Sequence, residues 1–405
     1  MKRVLIFSLA YYPYVGGAEI AIKEITDRLD PKEFEFEMIT LRFDKKLPMV
    51  EKVGNVTVHR IGFASENVKV SDRALPWVCK VAKMLFPFTA FLKARALHRE
   101  KPFAMTWAMM ANHAGFGALL FKYANPRVPY FLELQDGNSL AQVRERRPIV
   151  RLLWSFYRRI YLKADVIKAI SHFIERLARE VGYEGRLLVI PNGVDTERFS
   201  AAISADDLAD LKQKYGKKMG DIYLFTASRL VLSRGVEDVI RALPLLPAHV
   251  KFLIAGDGED RAKLEAIARD ADVRERVMFA GHANHADIPA LLKISDIFVR
   301  PSIIEGMGSA FVEAFAAGIP VVATPVGGIP DFLFDPKINP DMEPTGIFCA
   351  VRDPASVARA VQRYIDDPVQ TARIIKNARE LVAARYDWNM IAQEMCEQIF
   401  TRLMV

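Results

Sequence analysis

The sequence predicts an α/β fold with two doubly wound, Rossmann-like domains in tandem. The chain has 405 residues, more than one hydrophobic core usually organises. Short apolar runs alternate along it with segments whose apolar residues recur at helical spacing. Strands that are buried on both faces read as continuous apolar runs. The alternation therefore indicates parallel β-α units with helices on both sides of each sheet.

The first half contains seven candidate strands. The runs that predict them are residues 4–9, 36–41, 56–61, 105–108, 128–134, 166–170 and 187–190. Residues 18–29 have helical spacing and follow a turn rich in Pro and Gly. The last run ends in the turn PNGVD at residues 191–195, and we place the end of the N-terminal domain just beyond it, at residue 198.

The second half repeats the alternation and predicts a C-terminal domain over residues 199–385. Its candidate strands are residues 223–226, 252–255, 277–280, 296–299 and 321–323. Helical patterns occupy residues 236–243, 260–269, 288–294 and 311–316. A last helical pattern within residues 386–405 has no strand after it, so we expect it to pack back across the domain junction.

The cysteines and the lengths of the apolar runs limit the classes of protein to which the chain can belong. Cys79, Cys349 and Cys396 are scattered and show neither metal-type spacing nor a disulfide framework, which favours a reducing, cytoplasmic location. The apolar run near the N-terminus is short for a signal peptide and no small-residue cleavage site follows it, so we interpret it as the first strand. No stretch approaches the ~20 apolar residues of a membrane span.

Charge is distributed unevenly. Residues 1–195 contain 31 basic and 20 acidic side chains, a net charge of +11, whereas the whole chain carries +7. Two basic segments, residues 69–101 and 144–163, are interleaved with large aromatic and aliphatic residues, and Pro87 should kink or split any helix in the first. Two interpretations stay open: amphipathic helices packed on the domain, or contact with an anionic membrane surface.

The most informative stretch is residues 301–324, a glycine-rich turn followed by a helical pattern. Glu305 lies in the turn and Glu313 lies eight residues later, a little over a turn into the helix. Both carboxylates can therefore face one site. The helix N-terminus between them offers backbone N–H groups and a positive dipole end, which suit a phosphate. These features predict a site for a sugar nucleotide.

Four motifs follow one another in a set order: PNGVD at 191–195, SRLVLSRG at 228–235, AGDG at 255–258 and EGMGSAFVE at 305–313. In order and spacing the chain resembles the retaining nucleotide-sugar glycosyltransferases with the GT-B fold, the group 1 glycosyltransferases with an E-x7-E motif. The resemblance covers nearly the whole chain. It implies two Rossmann-like domains facing each other across a cleft, with the donor on the C-terminal domain and the acceptor on the N-terminal one.

The resemblance also implies roles for the donor-side residues. Glu305 would lie against the donor sugar and Glu313 would bind the ribose, consistent with the ability of a carboxylate to accept two hydroxyls. Arg229 and Arg234 would hold the diphosphate; the usual residue at the second position is Lys, so the geometry at Arg234 departs from the pattern. The remaining donor-binding candidates would present backbone groups, and they are Gly16, Gly17, Gly256, Gly306, Met307, Gly308 and Ser309.

The N-terminal domain departs from the family pattern at two positions. Many members have a histidine where this chain has Ala108, and another where it has Gln135. His113 and Asp136 are the nearest candidates for these roles, since ligands gather at the carboxyl ends of parallel strands. A packed histidine and an ordinary turn residue are the competing interpretations.

The function implied is transfer of a hexose from a UDP- or GDP-linked donor to a hydroxyl acceptor, with retention and without a metal or other cofactor. The acceptor expected is a glycan or a glycolipid. The protein would be cytoplasmic, with peripheral attachment to the inner face of the cell membrane through its basic N-terminal domain. The alternatives are a nucleotide-sugar epimerase of the same fold, a non-catalytic sugar-nucleotide binder, and a nucleic-acid-binding protein, which the acidic second half disfavours.

Overall fold

The computed structural model describes residues 1–66, 68, 75–146 and 151–404, and residues 69–74 and 147–150 of the two basic segments lie outside that description. The chain divides into two compact units. The first is Met1–Asn192 together with Trp388–Val405, and the second is Gly193–Asp387. The second unit starts before the expected boundary at residue 198 because Val194 already pairs with it: its N–H donates to the Tyr386 carbonyl at 2.7 Å.

The N-terminal unit is an eight-stranded sheet covered by helices. In chain order its elements are β1 (Lys2–Phe7), α1 (Gly17–Arg28), β2 (Phe34–Leu41), β3 (Val50–Val53), β4 (Val56–Ile61), α2 (Trp77–Glu100), β5 (Met105–Met109), α3 (His113–Ala124), β6 (Tyr130–Leu134), α4 (Leu140–Arg146), α5 (Trp154–Leu162), β7 (Val166–Ala169), α6 (His172–Glu180) and β8 (Arg186–Val189). The strand order is β3-β4-β2-β1-β5-β6-β7-β8, and only the β3–β4 pairing is antiparallel.

The C-terminal unit contains a six-stranded parallel sheet. Its elements are α7 (Thr196–Ser200), α8 (Ala205–Lys214), β9 (Ile222–Ala227), α9 (Val236–Ala242), β10 (Val250–Ala255), α10 (Arg261–Asp270), β11 (Val277–Gly281), α11 (Ile288–Lys293), β12 (Ile297–Arg300), α12 (Ser309–Ala317), β13 (Val321–Ala323), β14 (Ile347–Phe348), α13 (Pro354–Asp366) and α14 (Pro368–Arg385). The strand order is β11-β10-β9-β12-β13-β14.

The predicted fold class is confirmed: both units are Rossmann-like α/β layers around mainly parallel sheets. Each apolar run assigned to a strand forms one. The sequence analysis missed β3, whose residues are partly exposed and half charged, and β14, which is only two residues long. β3 lacks the continuous apolar run that marks a buried parallel strand, whereas β14 lies in the short apolar run of residues 347–351, which the sequence analysis overlooked.

Of the two outcomes expected at Pro87, a kink or a split, the split does not occur, because helix α2 is continuous through this residue. A proline removes only one intrahelical hydrogen bond. The inward face of α2, including Phe86 and Pro87, is buried, and α2 packs on α3. That packing holds the helix together.

The C-terminal segment belongs to the N-terminal unit. Helix α15 (Trp388–Met395) continues into a π-helical turn at Cys396–Phe400. The Phe400 ring lies 6.0 Å from that of Phe34 and 5.7 Å from that of Trp107, between ring centroids. This segment thus completes the apolar core on one face of the first sheet.

Each sheet has one point where the strand order reverses. In the first sheet β1 lies between β2 and β5, and in the second β9 lies between β10 and β12. The connections that leave two such neighbouring strands run to opposite faces, which opens a crevice at their carboxyl ends. The loops after β1 and β5, and those after β9 and β12, are therefore where the topology favours a ligand.

One carboxylic acid in the second unit is buried with an incompletely hydrogen-bonded carboxylate. Asp238, in α9, is buried, and its Oδ2 has no hydrogen-bond partner in the described part of the chain. Burial raises the pKa of this carboxyl from 3.8 to about 6, with a further contribution from the neighbouring Glu237. Between those two pH values the native state binds more protons than the unfolded chain, so ionisation of Asp238 destabilises the fold as the pH rises.

We predict that Asp238→Asn removes this pH-dependent penalty. Relative to the natural protein, the variant should gain about 1–3 kcal/mol in free energy of unfolding between pH 4 and pH 8, since one pKa unit corresponds to about 1.4 kcal/mol. Urea denaturation of both proteins at the two pH values measures the difference. Asp210→Asn, at an exposed position of α8, is the matched control and should show no such gain; an equal pH dependence in all three proteins would contradict the prediction.

Candidate active site

Three loops meet at the carboxyl ends of β9, β10 and β12. The Ile303 N–H donates to the Ser233 carbonyl at 2.8 Å, which joins the loop after β12 to the loop after β9. The Leu230 N–H donates to the Asp257 carbonyl at 3.0 Å, which joins the loop after β9 to the loop after β10. The SRLVLSRG, AGDG and EGMG motifs thus lie side by side at the reversal point of the second sheet.

Two glycines allow these loops to approach so closely. Gly256 has φ 147°, and a β-carbon there would lie 1.9 Å from the Ser228 carbonyl oxygen. Gly327 has φ 58°, and a β-carbon there would lie 1.7 Å from the Glu305 carbonyl oxygen. Any other residue at either position would displace a loop of the site. The sequence analysis overlooked Gly327, although its Gly-Gly pair directly after a strand and proline is visible.

Glu305 is held by two arginines. Its side chain is buried, and the residue is 8% exposed. Oε2 accepts hydrogen bonds from Arg234 Nη1 at 2.7 Å and from Arg300 Nη2 at 3.1 Å, and it lies 3.4 Å from Ser302 Oγ. Within the described part of the chain, all the side-chain contacts of Glu305 go to Oε2, so Oε1 is the oxygen left for a ligand.

Arg300 is a site residue that the sequence analysis missed. It ends β12, is buried, donates to the Ala227 carbonyl at 3.3 Å, and its guanidinium lies 4.3 Å from the Phe311 ring centroid. Burial lowers its pKa to about 10, against the opposing effect of Glu305, so it remains a cation at neutral pH. The available signal was a charged residue that ends an otherwise apolar strand just before the PSIIEG turn.

The two arginines that are predicted to bind the diphosphate differ in their surroundings. Arg234 also donates to the Ile304 carbonyl at 3.2 Å and is partly buried. Arg229 is exposed, and its side chain makes no hydrogen bond or ion pair with other described residues. Arg234 is therefore fixed beside Glu305, whereas Arg229 is a solvent-facing cation on the same loop.

Glu313 is also buried and has a partner that the sequence did not indicate. Its Oε1 lies 3.0 Å from His285 Nε2. His285 Nδ1 in turn lies 3.5 Å from the guanidinium of Arg198, which also donates to the His285 carbonyl. A cation facing Nδ1 favours the tautomer with its proton on Nε2, which then donates to Glu313. No sequence pattern points to His285 or Arg198, because their role arises only when α7, the loop before α11 and α12 pack together.

The turn between the carboxylates leads into α12. Gly306 and Met307 are buried, and Gly308 is the N-cap residue, which supplies no side-chain hydrogen bond to the helix. Ser309 is the first helical residue. Since no side chain caps the helix, the N–H groups of its first turn are suited to an anionic ligand.

In the first unit, the candidates lie at the reversal point between β1 and β5. Gly16 is the N-cap of α1, and its N–H donates to Glu19 Oε2 at 2.8 Å. Gly17 is exposed, with open space where a β-carbon would stand. His113 is half-buried and is the first residue of α3, after β5. The helix N-termini after β1 and β5 thus bring the glycine pair and His113 to the same edge of the sheet.

Asp136 and Gln135 follow β6 and are arranged differently. Asp136 is exposed, and its Oδ1 accepts from the backbone N–H of Asn138 at 3.1 Å, as in an ordinary Asx turn. Gln135 Nε2 donates to Glu133 Oε1 at 2.8 Å, and Gln135 Oε1 accepts from Asn192 Nδ2 at 3.0 Å. Gln135, at the position where the resemblance implies a histidine, is therefore tied into a polar cluster with Glu133 and Asn192.

The described residues contain no group of three or more His, Cys, Asp or Glu side chains that could hold a metal ion. The cations near Glu305 are Arg234 and Arg300. The chemistry that this arrangement can perform is recognition of hydroxyls by carboxylates and of phosphate by guanidinium and backbone N–H groups.

Residues 207–381 match the family "Glycosyl transferases group 1", and residues 15–198 match "Glycosyltransferase Family 4". An uncharacterized glycosyltransferase of Methanocaldococcus jannaschii is 32% identical over 389 residues, which cover 94% of this chain and 93% of that protein. A GDP-mannose-dependent phosphatidylinositol monomannoside mannosyltransferase of Mycobacterium tuberculosis is 30% identical over 263 residues, which cover 62% of this chain and 64% of that protein.

Solved structures show the same fold. Sucrose-phosphate synthase from Thermosynechococcus elongatus superposes with a TM-score of 0.81 at 20% identity, covering 100% of this chain and 99% of that one. Anabaena HepE in complex with UDP gives a TM-score of 0.74 at 21% identity, covering 99% of this chain and 100% of that one. With its two Rossmann-like units and a full-length relative at 32% identity, the chain belongs to the group 1 glycosyltransferases of the GT-B fold.

Proposed function

We propose that the protein is a retaining hexosyltransferase. It moves a hexose from a UDP- or GDP-linked donor to a hydroxyl of a glycan or lipid-linked acceptor and gives an α-linked product. The observation that carries the proposal is the Glu305 carboxylate between Arg234 and Arg300, beside the N-terminus of α12 and Glu313. Support comes also from relatives that use GDP-mannose and from a structural neighbour solved with UDP.

The second unit would bind the donor. Glu313 contacts His285 through Oε1, so its other oxygen can accept a ribose hydroxyl. The N–H groups of the first turn of α12, which begins at Ser309, and those of Gly306, Met307 and Gly308 before it would receive the diphosphate together with Arg229 and Arg234. An arginine has five N–H donors, so Arg234 can hold Glu305 and still donate to a phosphate oxygen. Gly256 would shape the loop beside the base.

Glu305 Oε1 would accept a hydroxyl of the hexose and fix its orientation. In the reaction, the acceptor oxygen forms a bond to the anomeric carbon while the bond from that carbon to the diphosphate oxygen breaks. The acceptor proton passes to the departing phosphate, and the nucleoside diphosphate leaves. Negative charge grows on the diphosphate in this step, so fixed guanidinium groups lower the barrier without requiring a metal.

The first unit would bind the acceptor. Gly16, Gly17 and His113 lie at the edge of its sheet where the strand order reverses, and Asp136 lies in the turn after β6. The surplus of basic residues in this half favours an acceptor at an anionic membrane surface, and the mycobacterial relative is a phosphatidylinositol mannoside mannosyltransferase. The free thiols of Cys79, Cys349 and Cys396 fit a cytoplasmic site of action.

Donor binding is tested by thermal shift. We predict that UDP or GDP, with the matching nucleotide hexose, raises the melting temperature of the full chain, because a ligand that binds only the native state stabilises it. Glu313→Gln should weaken this binding about 10–100-fold, through loss of a charge-assisted hydrogen bond worth about 1.5–3 kcal/mol. Glu380→Gln, at an exposed position of α14, is the control. If the Glu313 variant bound the nucleotide as tightly as the natural protein does, the proposed contact between Glu313 and the ribose would be wrong.

Catalysis is tested by release of nucleoside diphosphate in the presence of a membrane lipid extract. Glu305→Gln should lower kcat about 100-fold or more while donor binding changes little, since an interaction that strengthens in the transition state is lost. Formation of an epimer of the donor without acceptor, and without diphosphate release, would instead identify an epimerase.

We propose that Arg300 positions Glu305. Replacing it by lysine keeps the positive charge and changes the geometry, so the variant tests whether the geometry matters. Arg300→Lys keeps a cation but cannot reach both the Ala227 carbonyl and Glu305, so kcat should fall about tenfold with a smaller change in the KM for the donor. The matched control is Arg269→Lys, at an exposed position of α10. A proportional loss of donor affinity would show that Arg300 acts through binding of the donor instead.

A further inference from the structure

Helix α2 carries an exposed apolar stripe. Trp77, Met84, Phe88 and Leu92 are between 60% and 75% exposed, and Val81 and Leu85 are exposed beside them. These six residues recur at intervals of three and four, so at ~100° per residue they fall within an arc of about 100° on one side of the helix. Scattered apolar side chains on a protein surface are ordinary, but a continuous row of six large ones is not.

The stripe has no part in holding α2 to its domain. The opposite face of the helix, which includes Cys79, Phe86, Ala90, Ala94 and Leu97, is buried, and α2 packs on α3. That inward face is sufficient to dock the helix. Among the described residues, the exposed row therefore adds little to the core of the unit and is available for contact with another surface.

The charged residues of α2, and those of the segment that contains α5, are almost all basic. Helix α2 contains five Lys or Arg residues and a single acid, Glu100. Helix α5 packs against α3, as α2 does, and residues 151–163 add four basic residues and no acid. Lys80 and Arg99 are exposed on α2 itself. In an anionic lipid bilayer, negatively charged headgroups cover an apolar interior. Basic side chains would contact the headgroups, and the apolar stripe would contact the acyl chains below them.

We infer that α2 lies in the plane of an anionic membrane, with the stripe Trp77, Val81, Met84, Leu85, Phe88 and Leu92 inserted at the boundary between headgroups and acyl chains. Among the described residues no helix is long and apolar enough to cross a membrane, so the contact is with one leaflet. The inference rests on the proposed function for its lipid-linked acceptor, and it adds the surface through which the enzyme would reach that acceptor.

Two other binding partners would fit the exposed stripe of α2 less well than a membrane. A second copy of the chain would bring two basic faces together, and like charges repel across an interface. A nucleic acid would use the cations but would leave six large apolar side chains without a partner. Both become outcomes of the test, through size-exclusion chromatography and through binding of duplex and single-stranded DNA at physiological salt.

The experiment is flotation of the full chain with vesicles of phosphatidylcholine alone, or of phosphatidylcholine with 30% phosphatidylglycerol. We expect co-flotation with the anionic vesicles and much less with the neutral ones. The triple variant Met84→Gln, Phe88→Gln, Leu92→Gln should reduce partitioning onto anionic vesicles at least tenfold. Lys80→Glu with Arg99→Glu should reduce it roughly fivefold or more per charge reversed.

The control variant replaces three exposed apolar residues of the other unit, Met219→Gln, Ile338→Gln and Val369→Gln, and should float like the natural protein. A natural protein that stays with the soluble fraction, a triple variant that floats unchanged, or a dimer that the triple variant abolishes would overturn the inference. Thermal shift with the nucleotide, run on the same variants, should be unchanged. Loss of membrane binding and failure of the proposed transferase function are therefore distinguished.

Discussion

The candidate site depends on a physical constraint: the carboxylate of Glu305 is buried at the edge of a sheet and must be stabilised there. Removing a carboxylate from water costs several kcal/mol unless cations and hydrogen-bond donors face it. Glu305 meets this condition with Arg234 on one side and Arg300 on the other, both directed at Oε2. The same arrangement leaves the group one oxygen for a ligand and surrounds it with positive charge, so a requirement of folding and a requirement of phosphate recognition are met by the same residues.

This arrangement follows from the topology of the second sheet. Arg300 ends β12 and Arg234 lies in the loop after β9, and these two strands are neighbours at the point where the strand order reverses. The backbone of Gly327 lies directly against that of Glu305, and that of Gly256 against Ser228, so the loops that carry the site residues are packed backbone to backbone. The guanidinium groups are therefore in place before a ligand arrives, and preorganised charge of this kind is what stabilises a developing negative charge effectively.

Much of this could be predicted from the sequence, because its signals are local. The sequence shows directly the apolar runs that form β9 and β12, the glycine turns and the two carboxylates eight residues apart. From these features the loop and helix of the proposed donor site could be predicted. The partners of those carboxylates could not be predicted. Arg234 is 71 residues from Glu305, and His285 is 28 residues from Glu313. Such pairs are set by the order of strands in the sheet, for which one sequence carries no periodic signal. Arg300 was missed for a different reason, since a single charge at the end of an apolar strand is usually a solvated residue.

The first sheet also contains buried carboxylates, and Glu133 among them shows how a structural acid differs from Glu305. Glu133 and Lys168 form an ion pair at 2.7 Å with both side chains fully buried. Gln135 also donates to Glu133 Oε1, and the Trp107 indole donates to Oε2 at 3.0 Å, so both oxygens are used within the protein. Glu305 has a similar depth of burial, but its contacts converge on one oxygen. Both oxygens of Glu133 are engaged by neighbouring donors, as expected of an acid that stabilises the domain, whereas Glu305 keeps one oxygen for the sugar contact that we propose. On the same reasoning Gln135, already committed to Glu133 and Asn192, holds the edge of the first sheet in shape and has less capacity left for a ligand.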